Sequence, residues 1–273
     1  MGDNVKSSSL AAPESNRKEN LLAAAEGTGK DNLLAAAEGT GNDNLLAAAE
    51  SGVKEKHVRP DDIEKTSMEI IDDELRMRGI AVQKENYAVT RRVIHATADF
   101  DYAVNLTFTD KAVEQGIAAF ARGISIVTDT NMTLAGISRP AMERLGITAR
   151  CFMAEPRIRE MAREMGTTRA AASQIYAAGQ MPGAVLSVGN APTALFEIAR
   201  LIRSGLRPAL VIGVPVGFVN VTESKEEILS VCREYAIPAI AARGRKGGST
   251  VACAILNALL YEAAGLDDPS RRF

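Results

Sequence analysis

The sequence predicts an α/β protein: a three-layer α/β/α arrangement around a mainly parallel five-stranded sheet, behind a flexible N-terminal repeat extension. Short apolar runs recur along the chain, and each is followed by a turn bearing Gly, Asn or Pro and then by a helical pattern. Between Gly183 and Ala263 that unit occurs three times in succession, as VLSVGNAPTALFEIARLI, ALVIGVPVGFVNVTESKEEIL and AIAARGRKGGSTVACAILNALL. Strands alternating with helices pair in parallel, with right-handed crossovers and helices on both faces. In such sheets ligands sit at the carboxyl ends of the strands. The binding surface is therefore expected at Gly189 to Thr193, Pro215 to Thr222 and Arg243 to Thr250.

Residues 1–52 form the extension. From Asn20 the chain reads NLLAAAEGTGKD, NLLAAAEGTGND and NLLAAAESG, a twelve-residue period. Each block has room for barely two helical turns before its Gly, and helices so short are marginal alone. The composition fits a flexible extension, and the alternative is a tandem tag whose Leu pairs dock a partner groove. Gly27-Thr28-Gly29-Lys30 lacks the first Gly and the final Ser/Thr of a phosphate-binding loop.

The α/β domain is assigned to residues 53–273. Pro60-Asp61-Asp62 opens a helix through about Arg78, ended by Gly79, and a second helix runs from about Lys84 to Thr97. Thr109 is expected to cap a third, to Ala121. Five strands are expected near Ile124 to Thr128, Ala149 to Met153, Ala184 to Val188, Ala209 to Val214 and Ile237 to Ala242, with helices between them.

Composition narrows the function. A formal net charge of -2 and few aromatics give neither a broad basic stripe nor a stacking platform, so no nucleic-acid partner is expected. No apolar run reaches membrane-spanning length and MGDNVKSSSL has no signal core, so the protein is expected to be cytoplasmic, with no membrane partner. Cys151, Cys232 and Cys253 lie far apart and show no metal-ligand spacing; no metal site and no disulfide framework are expected.

Chemistry concentrates in a few places. His95, in TRRVIHAT, is the one histidine inside the folded region, and its imidazole can give or take a proton near neutral pH. Arg91 or Arg92 falls on much the same helical face and can hold an anion beside it. The stretch Arg243-Gly244-Arg245-Lys246-Gly247-Gly248-Ser249 puts three cations and three glycines before a helix, suited to a carboxylate or phosphate. It lacks the spacing of a nucleotide-binding loop. Gly189-Asn190-Ala191-Pro192-Thr193 and the turn around Gly217 are apolar-lined and carry Asn, while Arg169, Asp129 and Ser67 are further polar candidates. Together these loops suit a large, partly apolar polyanion.

The segments DIEKTSMEII, RRVIHATADFDYA, TDTNM, GTTRAAA, VGNAPTALFEI, IGVPVGFVNVTESKEE and ARGRKGGST resemble the precorrin-8X methylmutase family of cobalamin biosynthesis, in its order and approximate spacing from about Asp61 to Leu260. The resemblance implies a flavodoxin-like fold and a homodimer with active sites near the subunit interface. It also implies an isomerisation without an organic cofactor, in which a methyl group moves from carbon 11 to carbon 12 of a corrin precursor. In that family the histidine of the R-x-x-H segment is the proposed proton donor, a role that transfers to His95, with Arg92 at the matching arginine. Ser67, Asp129, Arg169, Asn190 and the Gly217 region are placed near the substrate; Arg243, Arg245 and Ser249 are assigned to it from the cationic loop. HATADFDYA tilts the resemblance towards the cobalt-containing branch. The competing readings are a noncatalytic tetrapyrrole carrier and a nucleotide-binding module.

Overall fold

A computed structural model describes residues 62–269; the expectations for the repeat extension and for the start of the domain at Val53 lie outside them. Helix α1 (Ile63–Met77) leads through a 3₁₀ turn (Lys84–Asn86) into α2 (Tyr87–Thr97) and the single turn α3 (Tyr102–Asn105). Then follow β1 (Leu106–Phe108), α4 (Ala112–Ala121), β2 (Ile126–Thr128), α5 (Asn131–Gly136), α6 (Arg139–Leu145) and β3 (Ala149–Arg150). The second half runs α7 (Pro156–Glu164), α8 (Arg169–Gln180), β4 (Val185–Val188), α9 (Pro192–Arg203), β5 (Leu210–Gly213), α10 (Val221–Glu234), β6 (Ala239–Ala242) and α11 (Ser249–Ala264).

All five expected strands are present, and their parallel order β3-β2-β4-β5-β6 is the flavodoxin-like one. The sheet has a sixth strand that the sequence reading missed. β1 pairs antiparallel with β6, Leu106 opposite Ala242, and closes the edge. Thr109 belongs to that edge, which corrects its expected role as a helix cap. Its hydroxyl accepts from the Ala239 N–H at 2.8 Å and donates to the Ile237 carbonyl, and α4 starts only at Ala112 after Lys111 in a left-handed conformation.

Strands β2, β4, β5 and β6 are buried throughout, as strands covered on both faces must be. Their side chains alternate between two cores. Ile126, Val185, Leu210, Ile212 and Ile240 pack with Val93 and Ile94 of α2, Phe120 of α4 and Leu259 of α11. Val127, Leu186, Val211 and Ala241 pack with Ile158 of α7, Leu195 and Ile198 of α9 and Leu229 of α10. Each such fully buried large side chain contributes about 1.5–3 kcal/mol. The result holds the carboxyl ends of the parallel strands in one rigid row. Because β1 is antiparallel to β6, the α2 terminus and α3 lie at that same edge of the sheet, where the Arg243 N–H donates to the Asn105 carbonyl.

Candidate functional site

Connections leave β2 in opposite directions, to β3 on one side and back past it to β4 on the other, so the crevice of this fold opens between the ends of β2 and β4. Asp129 stands there, just after β2, and is 3 % exposed. Its carboxylate accepts the N–H groups of Gly189, Asn190 and Ala191 at 2.8, 2.8 and 2.9 Å. Burial pushes the carboxyl above its usual range, and the three N–H groups oppose that push. Asp129 thus frames the loop after β4 from within, whereas the Asn190 side chain is exposed above it. Gly189 permits the close approach of the next loop: a Cβ there would lie 2.9 Å from the Ser249 Cα and 3.1 Å from the Gly248 carbonyl. Ser249, at the start of α11, exchanges a 2.8 Å hydrogen bond with Thr130, the N-cap of α5.

The cationic loop after β6 is tied down on several sides. Lys246 donates to Asp99 and Asp101, each at 2.6 Å, which joins the loop to the end of the His95 helix. Those bonds to Asp101 and Asp99 raise the Lys246 ammonium, and the bond from Lys246 is the largest cause that lowers the Asp99 carboxyl. Arg243 lies 3.5 Å from Glu226, and the Arg245 guanidinium stands 5.5 Å over the ring of Phe218 in the neighbouring loop. Gly217, at φ 146°, donates its N–H to the Arg245 carbonyl. That loop exposes Val216, Phe218 and Val219 by 49, 82 and 78 %.

His95 is exposed near the end of α2 and lines a cavity of about 500 Å³ together with Ser67, Ile70, Ile71, Glu74 and Phe100. Arg78, paired with Glu74 at 2.9 Å, lies 4.2 Å over the Phe100 ring and completes one wall. The Ser67 hydroxyl donates back to the Ile63 carbonyl, which leaves its lone pairs to accept. The recess thus combines apolar walls with an imidazole, a hydroxyl and the Glu74–Arg78 pair.

Two expected residues sit elsewhere. Arg92 faces a neighbouring cavity of about 610 Å³, where it pairs with Glu64 at 2.7 Å and stands 5.1 Å over the Tyr261 ring. Arg169, the first residue of α8, lines a recess of about 300 Å³ with Arg159 and Arg163, beyond the β2/β4 crevice. Thr168 and Thr193, 2.9 Å apart, tie the α8 and α9 starts together.

Lys225 is the residue that the sequence reading missed. It is 0 % exposed, and its ammonium donates to the Gly244 and Lys246 carbonyls at 2.8 Å each. The signal was its place on the buried stripe Val221, Ser224, Lys225, Ile228, Leu229, Cys232 of α10. Among the described residues no group of His, Cys, Asp and Glu is arranged to hold a metal ion, and no helix is long and apolar enough to cross a membrane. The cysteine thiols are free, and burial pushes that of Cys232 up to about 12.

A family model described as precorrin-8X methylmutase matches residues 62–262. The chain is 43 % identical over 205 residues to the cobalt-precorrin-8 methylmutase of Leptospira interrogans, covering 72 % of this chain and 91 % of that protein. It is 42 % identical over 207 residues to the cobalt-precorrin-8 methylmutase of Salmonella typhimurium, covering 74 and 95 %, and 38 % identical over 204 residues to the precorrin-8X methylmutase of Pseudomonas aeruginosa, covering 73 and 94 %. Among solved structures, a precorrin-8X methylmutase from Thermus thermophilus matches with a TM-score of 0.66 at 39 % identity, over 75 % of this chain and 98 % of that one.

Proposed function

The chain belongs to the precorrin-8X methylmutase family, and from that premise we propose that it seats a corrin precursor along the carboxyl edge of its sheet, with His95 as proton donor. The protein is an isomerase of cobalamin biosynthesis, an intramolecular transferase moving a methyl group from carbon 11 to carbon 12 of (cobalt-)precorrin-8. One carbon–carbon bond breaks, another forms, and any proton lent to the ring is matched by one lost from it. The product therefore has the mass of the substrate.

The observation that carries the reading is the joint placement of His95 and Ser67 on one cavity that also offers apolar walls, with the cationic glycine loop fastened to the same helix end through Lys246. A corrin precursor is broad and apolar on its faces and carries carboxylates at its rim. Ile70, Ile71 and Phe100 suit the faces; Arg243, Arg245 and, further along the edge, Arg169 suit the rim. Holding the ring and lending a proton requires neither a nucleophile nor a redox centre. The exposed Val216, Phe218 and Val219 beside the site support a homodimer whose second copy covers them. Light scattering on the purified protein tests that arm, and a monomer at micromolar concentration removes it. The free thiols support a cytoplasmic enzyme.

Mixing the protein with cobalt-precorrin-8 and, separately, with metal-free precorrin-8X tests the activity by absorption and mass spectrometry. A spectral change at unchanged mass is expected; a bound but unconverted pigment would favour a carrier. His95→Ala is expected to keep the fold and tight product binding while losing turnover by roughly 100-fold or more, the usual worth of a general acid. Undiminished turnover would end the role assigned to His95.

A further inference from the structure

We propose that Lys225 is a positioning residue for substrate binding: its buried ammonium holds the loop after β6 so that the Arg245 and Gly247 N–H groups receive one carboxylate of the corrin precursor. The inference rests on the functional reading above and assigns one loop a specific task within it.

Three successive carbonyls of this loop are taken from the protein side. Lys225 donates to those of Gly244 and Lys246, and the Gly217 N–H donates to that of Arg245. Every peptide bond in the described region is trans, so each N–H points opposite to the carbonyl of its own peptide unit. The N–H of Arg245 belongs to the Gly244 unit, and the N–H of Gly247 to the Lys246 unit. Both therefore point away from Lys225. Neither is hydrogen-bonded within the described residues. Two N–H groups on one side of a turn match the two oxygens of a carboxylate.

The charge behind them is unusual. Arg243 has Glu226 at hand, and Lys246 has Asp99 and Asp101. Lys225 has only carbonyls, and no carboxylate lies within ion-pair distance of it among the described residues. Burial alone draws its ammonium down to about 8, without a compensating neighbour. A carboxylate seated on the two N–H groups lies across one layer of backbone from that charge and interacts with it through a poorly screening medium. The glycine at 247 is required by the same construction, since a Cβ there would meet the Val214 carbonyl and lie 2.7 Å from that of Pro215.

The test uses the full chain labelled with ¹⁵N and titrated with tricarballylate, whose three carboxylates imitate the acidic arms of a corrin precursor. Saturable shifts of the Arg245 and Gly247 amides are expected in the wild type and are lost in Lys225→Met, while resonances of the sheet stay in place. In turnover, Lys225→Met is expected to raise KM at least tenfold with kcat within threefold. Wild-type amides that do not respond to tricarballylate overturn the proposal. So does a variant that keeps the wild-type KM, or one that loses kcat at unchanged KM. Should Lys225→Met fail to fold, Lys225→Gln is read by the same criteria, and the wild-type titration stands by itself. A wild type inactive on precorrin-8 would sink the functional reading and leave the amide measurement free to decide the role of Lys225.

Discussion

Replacing Asp129 by alanine removes the acceptor of three backbone N–H groups at once. A hydrogen bond to an ionised group is worth about 1.5–3 kcal/mol, which sets a ceiling of roughly 5–9 kcal/mol for the three. Two effects lower it. Burial pushes the Asp129 carboxyl upwards, the mark of a desolvation cost that alanine does not carry. Asn190 is exposed and Ala191 half-buried, so water can replace the carboxylate at those two N–H groups, whereas Gly189 is buried and its N–H is left without an acceptor. The remaining loss is about 2–4 kcal/mol, equivalent to a fall in Tm of roughly 5–15 °C for a domain of this size. Urea unfolding of the wild type and Asp129→Ala, followed by circular dichroism, measures it. Asp129→Asn should recover only part, because its one oxygen serves one side of the carboxylate's contacts while its NH2 turns a donor towards the N–H on the other. A loss below about 1 kcal/mol would refute the claim that this carboxylate frames the loop.

Gly247→Ala should destabilise by about 1–3 kcal/mol, through the push of its Cβ against the Val214 and Pro215 carbonyls, and should raise KM; an alanine variant equal to wild type in both would remove the close-approach argument. Lys225 also predicts a pH dependence. With its native value near 8 and an ordinary value of 10.5, the native state binds fewer protons than the unfolded chain between them, so stability rises with pH across that window, by at most about 3 kcal/mol. Cys232, pushed up to about 12, acts oppositely from about pH 9, because its thiol ionises only in the unfolded chain. The difference between wild type and Lys225→Met, measured by urea unfolding from pH 7.5 to 10.5, cancels the thiol. Around the lysine stand Glu226 with Arg243, Lys246 with Asp99 and Asp101, and Arg245. A flat difference across the window would contradict the buried charge.

Strands β4, β5 and β6 were legible because each is a buried, mostly apolar run ending in a turn, a pattern that local sequence carries in full. β1 was not: Leu106-Thr107-Phe108 is too short to show a period, and it becomes a strand only because β6 offers it an edge. Spacing correctly put Arg92 one turn before His95, but spacing along one helix says nothing of Glu64 on the helix beside it, which draws the guanidinium to another cavity. The glycine loop could be read from its composition. The two aspartates that hold Lys246 lie 145 and 147 residues away and could not. Lys225 was readable in principle as a charge on an apolar stripe, yet it was passed over among the neighbouring charges of TESKEE.

The pairing of β1 with β6 also has a kinetic meaning. Leu106 meets Ala242, and α2 is covered by α11, so the elements that present His95 emerge early from the ribosome while their partners are among the last to be made. Closing so long a loop costs entropy before any contact rewards it, and folding by such distant pairings is slow. During that interval the apolar flank of α2, with Val89, Val93 and Ile94, faces solvent. A nascent chain stalled before β6 would therefore contain every residue of the His95 recess and yet expose a surface prone to association, the kind of species that chaperones bind.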